Sequence, residues 1–290
     1  MSEYHTPVLL KESVSALLGN PDGVYVDATF GGGGHSRAIL EQLSAGGRLI
    51  AMDQDSDALS NAPDDGRLIL VHSNFRFVHN WVTYYGYDGV DGILADLGVS
   101  SHQFDTAERG FSFRFDSELD MRMNSGARKT AADVINTYTE EALERIFREY
   151  GEIANSRFAA KLVCDGRAAG GITTTGALNA ALERATPPAA QHKYLAKVYQ
   201  ALRIEVNDEM KALERFVPMA VKSLREGGVL AVITYHSLED RIVKNAIRDA
   251  IAEGVMEKVT AKPVVPEEEE IAENTRARSA KLRVARKRRK

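Results

Sequence analysis

The chain predicts an α/β fold: a doubly wound, largely parallel sheet interrupted by an all-helical block. Three observations predict it. Short apolar runs recur with helical patterns between them, the first run leads into a glycine turn that opens a helix, and three of the first four runs end in aspartate. Glycine lets the backbone turn tightly and lets a ligand approach it, and a helix start leaves N–H groups unpaired.

Taken in order, residues 8–18 carry Val8, Leu9, Leu10, Val14, Leu17 and Leu18 at helical spacing behind Thr6-Pro7, and Gly19 closes them. Residues 24–26 read as a buried strand ending at Asp27, and Gly31 to Gly34 form the turn. Residues 35–43 are helical and stop at Gly46-Gly47. Residues 48–52 form a second strand running into Asp53, residues 67–71 a third, and residues 90–95 a fourth running into Asp96. A parallel sheet places ligands at the carboxyl ends of its strands, so Asp27, Asp53 and Asp96 are expected along one edge.

Residues 97–124, rich in Gly, Ser, Phe and Arg, read as a long ordered loop. Residues 131–202 are helical throughout, with candidate helices over 140–150, 153–169, 175–185 and 193–202. Residues 205–224 form a long amphipathic helix ended by Gly227-Gly228. A fifth strand over 229–235, His236-Ser237 and a helix over 238–252 follow. Residues 255–265 and 277–285 are expected to pair as closing antiparallel strands around an acidic linker. The organisation expected is an α/β domain of residues 1–125 and 203–290 with an inserted helical domain of residues 126–202.

The 290 residues are 44% hydrophobic and 27% charged, a composition that fits a soluble protein with a full core. No apolar run approaches the ~20 residues of a membrane span, and the N-terminus lacks a secretory leader pattern. Cys164 is the only cysteine, so no intramolecular disulfide is expected and a cytoplasmic location is. The histidines lack metal-ligand spacing, so no metal site is expected. Net charge is −4, yet residues 276–290 carry only basic charges and end Arg286-Lys287-Arg288-Arg289-Lys290. Such a tail suits nucleic acid, and equally a solvated terminus.

The glycine turn excludes two ligands. A Gly-x-Gly-x-x-Gly register from Gly31 or Gly32 ends on Ser36 or Arg37, and no Gly-Lys-Ser/Thr follows. An acid at the end of the first strand, a wide glycine turn and an acid ending the second suit S-adenosyl-L-methionine, which has no phosphate and offers a ribose diol that Asp53 would accept. Phe111, Phe113 and Phe115, interleaved with Arg109 and Arg114, and His236-Ser237 are candidates for base and phosphate contacts, with packing the alternative for the phenylalanines. A nicotinamide-dependent oxidoreductase and a non-catalytic RNA-binding protein are the rival classes.

Seven segments carry a specific resemblance. They are His5-Thr6-Pro7-Val8-Leu9-Leu10, Asp27-Ala28-Thr29-Phe30-Gly31-Gly32-Gly33-Gly34-His35-Ser36, Asp96-Leu97-Gly98-Val99-Ser100-Ser101, Glu108-Arg109-Gly110-Phe111-Ser112-Phe113, Leu119-Asp120-Met121-Arg122-Met123, Gln200-Ala201-Leu202-Arg203-Ile204 and His236-Ser237-Leu238-Glu239-Asp240-Arg241. In this order, over nearly the whole chain, they resemble the MraW family, which methylates N4 of a cytosine in the decoding region of small-subunit (16S) ribosomal RNA. The resemblance implies a seven-stranded S-adenosylmethionine-dependent methyltransferase (Rossmann-like) domain with an inserted helical domain for RNA recognition. It implies cofactor contacts from Gly33, Gly34, His35, Asp53, Phe75, Asp96 and Gln103. Asp96 is also the candidate catalytic residue, set to position or polarise N4. The partner implied is 16S ribosomal RNA within the assembled small subunit, with no membrane, and a homodimer is left open. Ser117-Glu118, Asn124 and residues 192–199 depart from the family's pattern.

Overall fold

A computed structural model of the chain describes residues 7–289; His5 and Thr6 of the first motif and Lys290 of the basic tail lie outside them. The chain packs as two compact units, Met1–Gly98 with Met210–Lys290, and Val99–Glu209. The first unit begins with α1 (Leu10–Leu17), β1 (Val24–Asp27), α2 (Gly34–Gln42), β2 (Arg48–Asp53), α3 (Ser56–Leu59), β3 (Leu68–His72), α4 (Val78–Tyr84) and β4 (Val90–Asp96). The second holds α5 (Ser101–Asp105), α6 (Ala131–Thr137), α7 (Glu140–Glu149), α8 (Ser156–Ala168), α9 (Thr175–Ala181) and α10 (Gln191–Asn207). Then follow α11 (Glu209–Ser223), β5 (Leu224–Thr234), α12 (Ser237–Ala252), β6 (Met256–Lys258), α13 (Glu268–Glu273) and β7 (Lys281–Lys287).

The sheet is seven-stranded in the order β3-β2-β1-β4-β5-β7-β6. Strands β1 to β5 pair in parallel, and β7 runs antiparallel to both β5 and β6. Side chains alternate between faces along a strand, and both faces are covered. Val26, Ile50, Ile93 and Val232 pack with Phe216 and Val217 of α11. Tyr25, Leu49, Leu94 and Ala231 pack with Val14 and Leu17 of α1 and Ile39 of α2. Tyr25 is fully buried, so its hydroxyl needs partners. It accepts from Asn20 N at 3.0 Å and donates to Asn20 O at 2.9 Å, which fixes the turn entering β1. No helix among the described residues is long and apolar enough to cross a membrane.

Four expectations need correction. The stretch 97–124 is not all loop: α5 forms within it, because Ser100 and Gln103 make a reciprocal capping box, a Ser-x-x-Gln signal present in the sequence. The break expected near residue 203 falls at Asp208, whose left-handed φ of 49° ends α10. Strand β5 starts at Leu224 and runs through Gly227-Gly228, with an irregularity opposite Val90 to Gly92. The acidic linker is helical as α13, and only Met256–Lys258 of the expected closing strand pairs regularly, with Val264 adding one isolated bridge to Leu282.

The second unit has its own core of Leu143, Ile146, Phe147, Val163, Leu178, Val198 and Leu202, and the stretch after Asp96 contributes Phe111, Leu119, Met121 and Met123 to it. Polar contacts hold that stretch. Arg109 Nη2 donates to the carbonyls of Arg122 and Met123 at 2.9 and 3.1 Å, and Arg122 grips Asp120 at 2.6 Å. Gly110 permits this path: its φ is +69°, and an added Cβ would sit 2.3 Å from the Glu118 carbonyl oxygen. Gly110→Ala is therefore expected to destabilise the second unit by more than ~2 kcal/mol, read as a lowered thermal midpoint with cofactor affinity as the comparison.

Candidate cofactor and methyl-transfer site

The site grows from the carboxyl edge of the sheet. Asp27, Asp53 and Asp96 end β1, β2 and β4, and register places Asp27 level with Ala51 and Leu94, so Asp53 and Asp96 project beyond it on either side. The chain leaving β1 crosses this edge. Ala28 N donates to Leu94 O and Phe30 N to Met52 O, both at 2.8 Å. Thr29 Oγ1 accepts from Asp96 N at 2.6 Å, pinning the turn to the end of β4.

Asp27 serves the turn itself. Its carboxylate accepts from Ser36 Oγ at 2.6 Å and Thr29 N at 3.1 Å, and burial pushes its pKa up to about 6. Gly31 and Gly33 both hold positive φ, at 51° and 76°, which brings the chain round to the start of α2. Around Gly33 and Gly34 there is no room for a side chain: an added Cβ would meet Phe30 Cζ at 2.8 Å and Pro7 Cγ at 2.1 Å.

Asp53 anchors the turn's other side. Its Oδ2 accepts from Gly31 N at 2.7 Å and its Oδ1 from Asp55 N at 2.9 Å. Burial pushes its pKa up to about 6 against these bonds. A carboxylate has about four acceptor positions, so capacity for hydroxyl donors remains. The loops after β2 and β3 are joined by Asn74 Nδ2 donating to Gln54 Oε1 at 2.7 Å and Ser73 N donating to Asp53 O at 2.8 Å. Phe75 follows on the same loop. Its ring stands edge-on to Phe216 at 5.1 Å, half-buried at the margin of the core.

His35 is buried, and Nε2 lies 3.2 Å from Val8 O. A carbonyl only accepts, so Nε2 carries the proton and Nδ1 is the free acceptor. Burial pushes the His35 pKa down to about 4, so the ring is neutral near pH 7. Its Nδ1 lies 3.8 Å from Asp96 Oδ2, which is neither an ion pair nor a hydrogen bond.

Asp96 has the most perturbed carboxyl group of the edge. Its side chain is 22% exposed. Burial pushes its pKa up to about 7, opposed by the Tyr235 hydroxyl and reinforced by Asp27 and Glu239. Tyr235 Oη donates to Asp96 Oδ1 at 2.7 Å, leaving Oδ2 as the outer oxygen. Glu239 holds Tyr235 in turn, accepting from its backbone N at 2.8 Å. Sequence reasoning named His236 but missed Tyr235, although a residue just past the end of β5 occupies the same edge as Asp96. Removing the Tyr235 donor should raise the Asp96 pKa further. Tyr235→Phe is expected to move the acid limb of the kcat/KM profile up by about half to one pH unit, with a small loss at high pH.

The remaining candidates divide. His236 caps α12, with Nε2 3.1 Å from Glu239 Oε1. Gln103 lies in the second unit, where its Oε1 accepts from Ser100 N at 3.1 Å. Phe111 is core there, Phe113 stands edge-on to His192 and Tyr199, and Phe115 is exposed.

A seven-stranded sheet whose β7 alone is reversed, with a glycine turn and acids at its carboxyl edge, defines the methyltransferase class of α/β domain. The chain belongs to the MraW methylase family, whose profile matches residues 2–288. It is similar to proteins named ribosomal RNA small subunit methyltransferase H. The one from Bacteroides fragilis (strain YCH46) is 53% identical over 98% of this chain and 97% of that protein. Those from Porphyromonas gingivalis (strain ATCC BAA-308 / W83) and Flavobacterium johnsoniae are 50% and 49% identical, over 99% and 98% of this chain and 97% and 98% of theirs. Among solved structures, NSun6 from Pyrococcus horikoshii is a distant likeness, at 14% identity and a TM-score of 0.46 over 97% of this chain and 52% of that one.

Proposed function

We propose that the protein transfers a methyl group from S-adenosyl-L-methionine to the exocyclic N4 of a cytosine in the decoding region of 16S ribosomal RNA, acting on the assembled small subunit in the cytoplasm. The observation that supports it most is the pairing of Asp53 and Asp96 on either side of a glycine turn too crowded for side chains, in a chain of the MraW methylase family.

The residues present fit that cofactor. Asp53 would accept the ribose hydroxyls, Gly33 and Gly34 would present backbone groups at the start of α2, and the Phe75 ring would flank the adenine. His35 would offer Nδ1 as an acceptor. The cofactor supplies an electrophilic methyl group when bound. Cytosine N4 is a weak nucleophile because its lone pair is delocalised into the ring. Asp96 Oδ2 would accept an N4–H bond, favouring the pyramidal nitrogen of the transition state, while Tyr235 holds Oδ1. The N4 proton then leaves readily from the cationic product.

Labelled methyl transfer to undermethylated small subunits, followed by nucleoside analysis, tests the reading. N4-methylcytidine is the expected product; label in any other nucleoside, or none, would refute it. The carboxyl groups also set a pH dependence. Asp53 and Asp96 have pKa values raised to about 6 and about 7, so the free protein holds protons there that a cationic ligand expels. Cofactor affinity should therefore rise with pH, ~10-fold or more from ~pH 5.5 to ~pH 8, with proton release on binding. Calorimetry in buffers of different ionisation enthalpy reads both, and the uncharged product thioether should show a smaller dependence.

A further inference from the structure

The basic tail emerges far from the carboxylates. Because β7 is antiparallel, its last residues lie at the opposite, amino edge of the sheet, where Arg286 pairs with Val229 and Lys287 with Met256. Three exposed arginines gather there, Arg286, Arg288 and Arg289. Side-chain contacts tie the tail to neighbouring elements. Lys287 Nζ donates to the carbonyls of Val221 at 3.1 Å and Leu224 at 2.6 Å, between α11 and β5. Arg225 Nη2 donates to Gly89 O at 3.1 Å, and Arg289 Nε lies 3.0 Å from where a Cβ on Gly227 would stand.

The same edge carries aromatic rings. Helix α4 runs back from the carboxyl edge, beside the end of α11, where His79 Nδ1 meets Ser223 Oγ at 3.0 Å. It ends in Trp81, Tyr84 and Tyr85. Trp81 stacks on Tyr85 with ring centroids 6.2 Å apart and meets Tyr84 edge-on at 5.4 Å. Tyr84 is 74% exposed and Tyr85 37% exposed, a costly arrangement for rings that serve only the core. Among the acids of this edge, Asp91 is engaged by Arg225 at 3.2 Å and Val24 N at 2.7 Å, and Glu257 lies across from Arg286. Asp88, Glu226 and Glu253 share this edge, but Arg286, Arg288 and Arg289 form no ion pair among the described residues.

We propose that this amino edge is a second RNA-docking surface. Its arginines grip phosphates of the substrate RNA away from the methylated base, and Tyr84 offers a face to an unpaired base. Phosphate contacts position an RNA without reading its sequence, and aromatic faces stack on any base. A surface on the opposite edge from the chemistry lets the enzyme hold a large structured substrate by two separated points. The inference rests on the reading that the substrate is ribosomal RNA.

The test uses the full chain with Arg286, Arg288 and Arg289 each changed to Glu, and separately Tyr84→Ala. Binding to undermethylated small subunits and to deproteinised 16S ribosomal RNA is measured across a salt series, beside methyl-transfer kinetics on the subunits. The triple variant should raise KM about tenfold or more, with kcat within about twofold and cofactor affinity unchanged. The slope of log affinity against log salt should become shallower by about two or more, at ~0.7–0.9 per lost phosphate contact. Tyr84→Ala should weaken RNA binding several-fold with an unaltered salt slope. Wild-type KM and salt slope in the triple variant would overturn the proposal. So would weakened binding to subunits with full binding to deproteinised RNA, which would make the partner a ribosomal protein. If the unaltered protein methylates no cytosine N4, the functional reading fails; the comparison of RNA binding still decides the docking surface.

Discussion

Asp96→Asn should lower kcat for methyl transfer by ~10²–10³ while leaving the cofactor dissociation constant within about tenfold. Asparagine keeps the shape, and its carbonyl still accepts the Tyr235 hydroxyl that now reaches Asp96 Oδ1 at 2.7 Å. What it lacks is the negative charge that strengthens an acceptor as the N4 nitrogen becomes cationic. The same substitution should not harm folding. A carboxyl group whose folded pKa is raised to about 7 costs stability as pH rises from its unfolded value near ~4 to about 7, because the folded protein resists ionising it. The Asn variant should therefore match the wild type at ~pH 4 or below and equal or exceed its thermal midpoint at ~pH 8. Single-turnover rates and calorimetric cofactor titration separate the outcomes. A loss of cofactor affinity as large as the loss of kcat would make Asp96 a cofactor ligand alone.

Gly34→Ala should weaken cofactor binding by about 10- to 10²-fold through a single methyl group. The added Cβ would lie 2.1 Å from Pro7 Cγ and 3.1 Å from Pro7 Cδ, and a proline ring has no rotamer with which to retreat. The backbone must move, and Pro7 is bonded to Val8, whose carbonyl lies 3.2 Å from His35 Nε2. The start of α2 and the His35 ring would shift together, and overpacking of this kind costs about 1–3 kcal/mol, about 10- to 10²-fold where it falls on binding. Gly19→Ala is the control, since nothing lies within 4 Å of the Cβ it would add. Cofactor affinity is the readout, with circular dichroism to confirm the fold; wild-type affinity in the Gly34 variant would refute the account.

These two residues show how far the chain could be read directly. Gly34 and Asp96 stood out because the turn and the strand end are local patterns. A parallel strand buried on both faces reads as an apolar run, and its end reads as the residue that breaks the run. Asp27 looked equivalent to Asp53 and Asp96 in that pattern. The structure distinguishes it by burial: Asp27 is 1% exposed, with Ser36 and Thr29 on its carboxylate, whereas Asp53 and Asp96 stay partly exposed. Tyr235 could not be weighed beforehand: its role depends on β5 lying beside β4, a pairing of residues 139 positions apart.

The stretch after Asp96 marks the other limit. Its Gly, Ser, Phe and Arg content reads as loop, since no period of apolar residues runs through it. Its order comes from groups distant in sequence, such as Asn207 Oδ1 accepting from Met123 N at 2.7 Å and Nδ2 donating to Met121 O at 2.8 Å.

By itself the sequence determined the alternation of strands and helices, the glycine turn and the acids at the strand ends, because each is written in residues close together along the chain. Only the tertiary structure decided which acid is buried within the turn and which stay partly exposed, that a tyrosine steadies Asp96, and that the basic tail lies at the edge away from the carboxylates. Those outcomes follow from strand order and direction, and hydrogen bonds and burial between distant segments exist only once the sheet is assembled.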